Sequence, residues 1–74
     1  MTDAQLIRFV DELEEKASGY FTLEEVERAV GAAVSAQIER GLLLVDYRTR
    51  LDGTNVTLCR LNRHHPLVIE LTGW

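Results

Sequence analysis

Two imidazoles stand side by side at His64 and His65, and one thiol stands alone at Cys59. Paired histidines are the material of a metal site. Adjacent residues on an extended segment point apart, however, so they rarely bind one ion, and no third ligand lies at a suitable spacing. The pair reads instead as a polar cap ahead of Pro66. A single cysteine excludes an internal disulfide and a cysteine-rich zinc site, and Cys59 reads as a small apolar residue of a strand. Nucleophilic catalysis has no better footing. Ser18 and Ser35 have no base in a fixed relation to them, Glu14/Glu15 and Glu24/Glu25 read as ordinary helix surface, and no glycine-rich phosphate loop is present. The expectation is a protein without metal, cofactor or catalytic site.

Binding chemistry is better represented. Gln37, Arg40, Arg48, Arg50, Arg60 and Arg63 supply the donors that contact phosphates and base edges. The charge distribution splits the chain. Residues 1–40 carry nine acidic and four basic side chains, whereas residues 41–74 carry three acidic and four basic ones, all arginine. The net charge of −4 argues against nonspecific nucleic-acid binding, and the acidic first half would oppose a duplex. A second kind of surface lies at the C-terminus. Leu67, Ile69 and Trp74 make an apolar tail that either packs on the core or meets a partner, and tryptophan is a favoured interface anchor.

These groups must be positioned by a small frame. A length of 74 residues is expected to form one domain over residues 1–74. A chain of this size buries only about 60–65% of the surface its unfolded form exposes. A partner subunit is one source of added stability, so a homodimer is the default expectation. No basic, apolar leader and no membrane-length apolar run are visible, which implies a soluble, cytoplasmic protein without membrane contact.

The elements follow from periodicity. Leu6, Phe9, Val10, Leu13 and Ala17 form one helical stripe, opened by a capping box at Thr2 and Gln5 and ended at Ser18-Gly19. The carboxylates of residues 11–15 fall mostly off that stripe and read as a solvated face. Thr22 and Glu25 make a second capping box, with Phe21 and Val26 placed as a hydrophobic staple. Helical register then runs to Arg40, and Gly31 either divides this stretch into two helices or is tolerated within one. From Leu42 the period becomes two. Asp52-Gly53 is a two-residue hairpin signal, which would set Tyr47 opposite Leu58 and Thr49 opposite Val56. Segment 66–72 fits a helix opened by Pro66 or a strand led by Val68 and Ile69. Leu6, Phe9, Val10, Leu13, Val26, Val30, Val34, Ile38, Leu43, Val45, Tyr47 and Leu58 should share one core.

Helical signals followed by a hairpin give an α+β order. Within it, Ala36-Gln37-Ile38-Glu39-Arg40-Gly41-Leu42-Leu43 resembles the end of a recognition helix and the first strand of a wing. Residues 52–62 resemble the wing and its return strand, and Arg60-Leu61-Asn62-Arg63-His64-His65-Pro66-Leu67-Val68 is similar to the ending of ArsR-like winged helices. The match covers roughly residues 21–68 and is best over the wing. The resemblance implies a winged helix-turn-helix fold and a small DNA-binding transcriptional regulator acting as a homodimer. Gln37 and Arg40 would then be the candidates to face bases, and phosphate contacts with double-stranded DNA would fall to Arg28, Arg40, Arg48, Arg50, Arg60 and Arg63. The sequence departs from that pattern at the reading helix, because Gly31 to Arg40 spans only ten residues. The alternative is a winged-helix protein-interaction module, or a small subunit of a larger assembly, whose partner surface includes Leu67, Ile69 and Trp74.

Overall fold

In the computed structural model, which describes residues 1–16 and 20–73, the elements are α1 (Asp3–Lys16), β1 (Phe21–Thr22), α2 (Leu23–Val30), α3 (Ser35–Glu39), β2 (Leu43–Thr49), β3 (Asn55–Leu61) and α4 (Pro66–Thr72). The three strands form one antiparallel sheet in the order β1-β3-β2. The described residues thus make a small α+β domain. The helix end expected at Ala17, Ser18 and Gly19, and the anchor expected at Trp74, lie outside the described residues.

Local chemistry explains the helix boundaries. At the start of α1 the Gln5 amide donates to Thr2 Oγ1 at 3.2 Å and the Thr2 amide donates to Gln5 Oε1 at 2.8 Å, the reciprocal bonds of a capping box. At α2 the Glu25 amide donates to Thr22 Oγ1 at 3.0 Å. Thr22 is also extended, as an N-cap must be (φ −77°, ψ 156°). That conformation lets Phe21 and Thr22 double as β1, paired with Cys59 and Leu58 of β3. A two-residue strand has no period to read, so it was absent from the expected elements.

Gly31 settles the question left open in the sequence. It takes φ +83°, a left-handed conformation that closes α2 and that side-chain-bearing residues rarely adopt. Two helices result, joined by a turn that is held when the Val34 amide donates to Glu27 Oε2 at 3.0 Å. α3 has only five residues and no side-chain cap. It ends in a Schellman arrangement, with the Leu42 amide donating to the Gln37 carbonyl at 3.0 Å and the Gly41 amide to the Ile38 carbonyl at 3.0 Å. The C-terminal segment is helix rather than strand. Pro66 opens it, and His65 Nδ1 accepts the Leu67 amide at 3.1 Å, so the imidazole acts as the polar cap.

The core comprises Leu6, Ile7, Val10, Val26, Val34, Leu42, Leu43, Cys59, Leu61 and Val68, with Phe9, Phe21, Leu23, Val30, Ile38, Leu67 and Leu71 packed around it. Two expectations require correction. Tyr47 is not a core residue; it is 79% exposed, and Leu13, Val45 and Leu58 are only partly buried and stand outside the core cluster. The hairpin register is also one residue away from the expected one, with Tyr47 opposite Thr57, Thr49 opposite Asn55, and Arg48 opposite Val56. The turn is the reason. Gly53 donates to the Arg50 carbonyl at 2.9 Å and Arg50 donates to the Thr54 carbonyl at 2.8 Å, so the loop is the three residues 51–53. Gly53 stands at φ +88°, as in a type I turn followed by a left-handed bulge residue. The register chosen turns Cys59 and Leu61 inward, in place of Leu58.

Candidate interaction surface

The hairpin supplies the surface, and its register decides which side chains share a face. Leu43, Val45, Tyr47 and Thr49 of β2 align with Leu61, Cys59, Thr57 and Asn55 of β3 on the side of the helices. Leu44, Asp46, Arg48, Val56, Leu58 and Arg60 lie on the other side. There Leu44, Val56 and Leu58 are half-buried while Arg48 and Arg60 are exposed, and a shallow hollow opens between Tyr20, Leu44, Asp46, Arg48, Leu58 and Arg60. The turn beyond is stiffened by Asp52, whose Oδ1 accepts both the Thr54 amide at 2.9 Å and the Thr54 hydroxyl at 2.6 Å. Those bonds hold the Asp52 carboxyl below its ordinary range, the hydroxyl bond contributing most.

The six donors expected to touch DNA do not form one uncommitted set. Arg40 Nη2 lies 2.5 Å from Asp3 Oδ1, and Gln37 Nε2 approaches the same oxygen at 3.4 Å. The two candidate base readers are thus both turned toward the first turn of α1. Arg48 pairs with Asp46 on its own strand at 2.8 Å. Arg63 is farthest from the expected role. Its side chain is only 19% exposed, with Nη1 at 2.8 Å from Asp11 Oδ1 and Nη2 at 3.0 Å from Glu14 Oε2. Arg50 and Arg60 are exposed and have no carboxylate within ion-pair range among the described residues.

The Arg63 cluster corrects the reading of residues 11–15 as a purely solvated face. Asp11 and Glu14 are partly enclosed where α1 meets the end of β3, and Glu14 Oε1 also lies 3.4 Å from the Leu61 amide that donates to it. Burial pushes the Glu14 carboxyl above its ordinary range, against the opposing pull of Arg63 and the Leu61 amide. The cluster is a clamp between α1 and the hairpin base, formed by residues about fifty positions apart.

Asn62 carries a second structural role that sequence reading missed. Its amide donates to the Leu42 carbonyl at 2.9 Å, its Nδ2 donates to the Gly41 carbonyl at 2.9 Å, and its Oδ1 accepts the His64 amide at 3.1 Å. One residue therefore joins the end of α3, the base of the hairpin and the approach to α4, the first and last through its side chain. The "Arg-Leu-Asn" spacing was the available signal, with Leu61 buried and Asn62 beside it. Cys59 is buried, and its thiol is pushed up to about 11, first by burial and then by Glu14 and Glu27. At neutral pH it is a protonated apolar side chain rather than a nucleophile.

Of the C-terminal residues assigned to a partner, Leu67 packs against the core and is half-buried, while Ile69 is 38% exposed. Tyr20, Tyr47 and Leu51 are far more exposed, and Tyr47 and Leu51 belong to the hairpin strand and its tip. Among the described residues no helix is long and apolar enough to cross a membrane.

The geometry defines an α+β domain whose open surface is a hairpin of mixed apolar and arginine character. Compared with known proteins, the chain matches no family model, no curated protein and no solved structure.

Proposed function

We propose that this chain is a winged-helix-like module that works through protein contact. Its three helices followed by a three-residue-turn hairpin have the order of a winged helix, and β1 ties the hairpin to the helical half. The observation that carries the functional reading is the commitment of the polar donors. Gln37 and Arg40 are held by Asp3, Arg48 by Asp46, and Arg63 by Asp11 and Glu14. A duplex would have to compete with those carboxylates for each guanidinium, against a net charge of −4. Meanwhile Tyr20, Tyr47 and Leu51 are large apolar side chains left in water, as at surfaces that meet another protein.

DNA binding is the second reading. It is favoured by Arg48, Arg50 and Arg60, whose register places them on one face of the hairpin. The two readings separate in a fluorescence-anisotropy titration of a labelled random-sequence duplex at low and at physiological salt. The interaction reading expects no saturable binding at either salt. The DNA reading expects binding whose affinity falls steeply with salt, with a slope reduced by about two when Arg48 and Arg50 are both replaced by alanine. That second outcome would overturn the interaction reading.

A further inference from the structure

We infer that β2 is a self-pairing edge, and that two copies of this chain join their sheets antiparallel across Tyr47. The inference rests on the reading of the chain as a protein-interaction module and names the partner of that surface as a second copy. It starts from the backbone. β2 is an outer strand of the sheet, with β3 on one side and no described strand on the other. Arg50 donates to the Thr54 carbonyl and the Leu42 carbonyl accepts from Asn62, so the even-numbered residues of β2 turn their amides and carbonyls toward β3. The amides and carbonyls of Leu43, Val45, Tyr47 and Thr49 therefore point outward, and no described residue bonds to them. A seven-residue row of this kind is a template for another strand unless charge, proline or a bulge interrupts it. β2 contains no proline, and its register with β3 runs unbroken from Leu43 to Thr49.

Its two charges select a register instead of blocking one. An antiparallel pair centred on Asp46 would set carboxylate against carboxylate, and one centred on Arg48 would set guanidinium against guanidinium. A pair centred on Tyr47 sets Asp46 of each copy opposite Arg48 of the other, twice per dimer, so that the Asp46–Arg48 pair each strand already holds at 2.8 Å joins a network of four alternating charges. The same centre pairs Tyr47 with Tyr47 and Val45 with Thr49, using the outward amides for the new hydrogen bonds. Asp46 and Arg48 then occupy the sites between those bonds, where facing side chains come closest. It also explains why an aromatic side chain that is 79% exposed stands at the middle of a strand.

The experiment is sedimentation equilibrium of the full chain at neutral pH and low salt, on wild type, Asp46→Arg, Arg48→Asp and the double swap. Each single swap converts two attractive cross-copy contacts into two repulsive ones, so the dimer dissociation constant should rise about tenfold or more. The double swap should return it to near the wild-type value. Circular dichroism on each variant verifies that the monomer is folded. Cross-linking tests the register: in the Tyr47 register two copies of residue 47 have Cα atoms about 5.5 Å apart, within disulfide reach. Tyr47→Cys should therefore oxidise to a covalent dimer, while Thr49→Cys, which faces Val45 of the other copy, should not. A wild type that stays monomeric at every concentration overturns the inference, as does a dimer indifferent to both single swaps. The duplex titration above is independent of these results: DNA binding overturns the interaction reading, whereas a monomer that ignores DNA overturns the pairing alone.

Discussion

The two halves of the β2–β3 hairpin are written in the same alternating pattern and end in opposite environments. At the base, Leu43, Cys59 and Leu61 are almost wholly buried beneath the helices. At the distal end, Tyr47 and Thr49 continue the same face, and both are exposed. Alternation states which side chains share a face of a sheet. It does not state how far the covering layer extends. Here the helices cover one half, and the other half is left as surface whose apolar members are available to a partner.

The comparison can be broken most forcefully at the base. Leu61→Ala should cost about 2–5 kcal/mol, as a large-to-small change does in a packed core. A chain of this size has only a few kcal/mol to lose, so urea denaturation should find the variant largely unfolded. The matching change at the distal end, Tyr47→Ala, should alter the stability of the monomer by no more than about 0.5 kcal/mol. Equal losses at the two positions would mean that the distal half is also covered.

The clamp on the base comes next. Arg63→Ala leaves Asp11 and Glu14 partly buried without their cation, and should cost about 2 kcal/mol at neutral pH. Its pH dependence sharpens the assignment. The Glu14 carboxyl is already raised in the folded chain, so the folded state binds its proton more readily than the unfolded state does. Stability from this group is therefore greatest below the ordinary carboxylate range and declines as pH rises through the raised value. Removing Arg63 takes away the largest opposing pull and raises the carboxyl further. The gap between variant and wild type should then close as pH is lowered through the carboxylate range. A gap that stays constant from neutral to acidic pH would show that the clamp acts by packing rather than by charge.

The smallest expected effect is at the tip. Gly53→Val places a β-branched residue at φ +88° with no neighbouring atom within 4 Å of the added Cβ. The cost is confined to the backbone and should be about 1 kcal/mol. Thermal melts of the two chains test it, and an unchanged midpoint would contradict the left-handed geometry of the turn.

How much of this was legible depends on how local the cause is. The capping box at Thr2 and Gln5, the Thr22 N-cap of α2, the termination at Gly41 and the glycine of the hairpin turn are short-range, and each stands where its residues put it. The register was not legible. A two-residue turn and a three-residue turn both favour glycine at position 53, and Leu58, Cys59 and Leu61 are all apolar, so either register gives a plausible inner face. The helices above the sheet decide it by burying Cys59 and Leu61. The binding surface was the least legible part. An arginine in a sequence is a donor in search of an acceptor, and the acceptors of Arg40 and Arg63 lie on α1, at Asp3, Asp11 and Glu14. Only the tertiary fold brings those carboxylates within reach, and it turns three of six expected nucleic-acid contacts, Gln37, Arg40 and Arg63, into internal bonds, while Arg48 pairs with Asp46 on its own strand.

The central claim is that the distal hairpin meets protein and that Gln37, Arg40, Arg48 and Arg63 are engaged by the chain's own carboxylates. It is tested most directly by one series of two-dimensional amide NMR spectra, recorded first as the protein is concentrated and then as a random-sequence duplex is added. The account predicts that concentration moves the amides of residues 45–51, and that the duplex leaves those of Gln37, Arg40, Arg48, Arg50, Arg60 and Arg63 where they were. Shifts of those six on adding duplex, with a flat response of residues 45–51 to concentration, would contradict it.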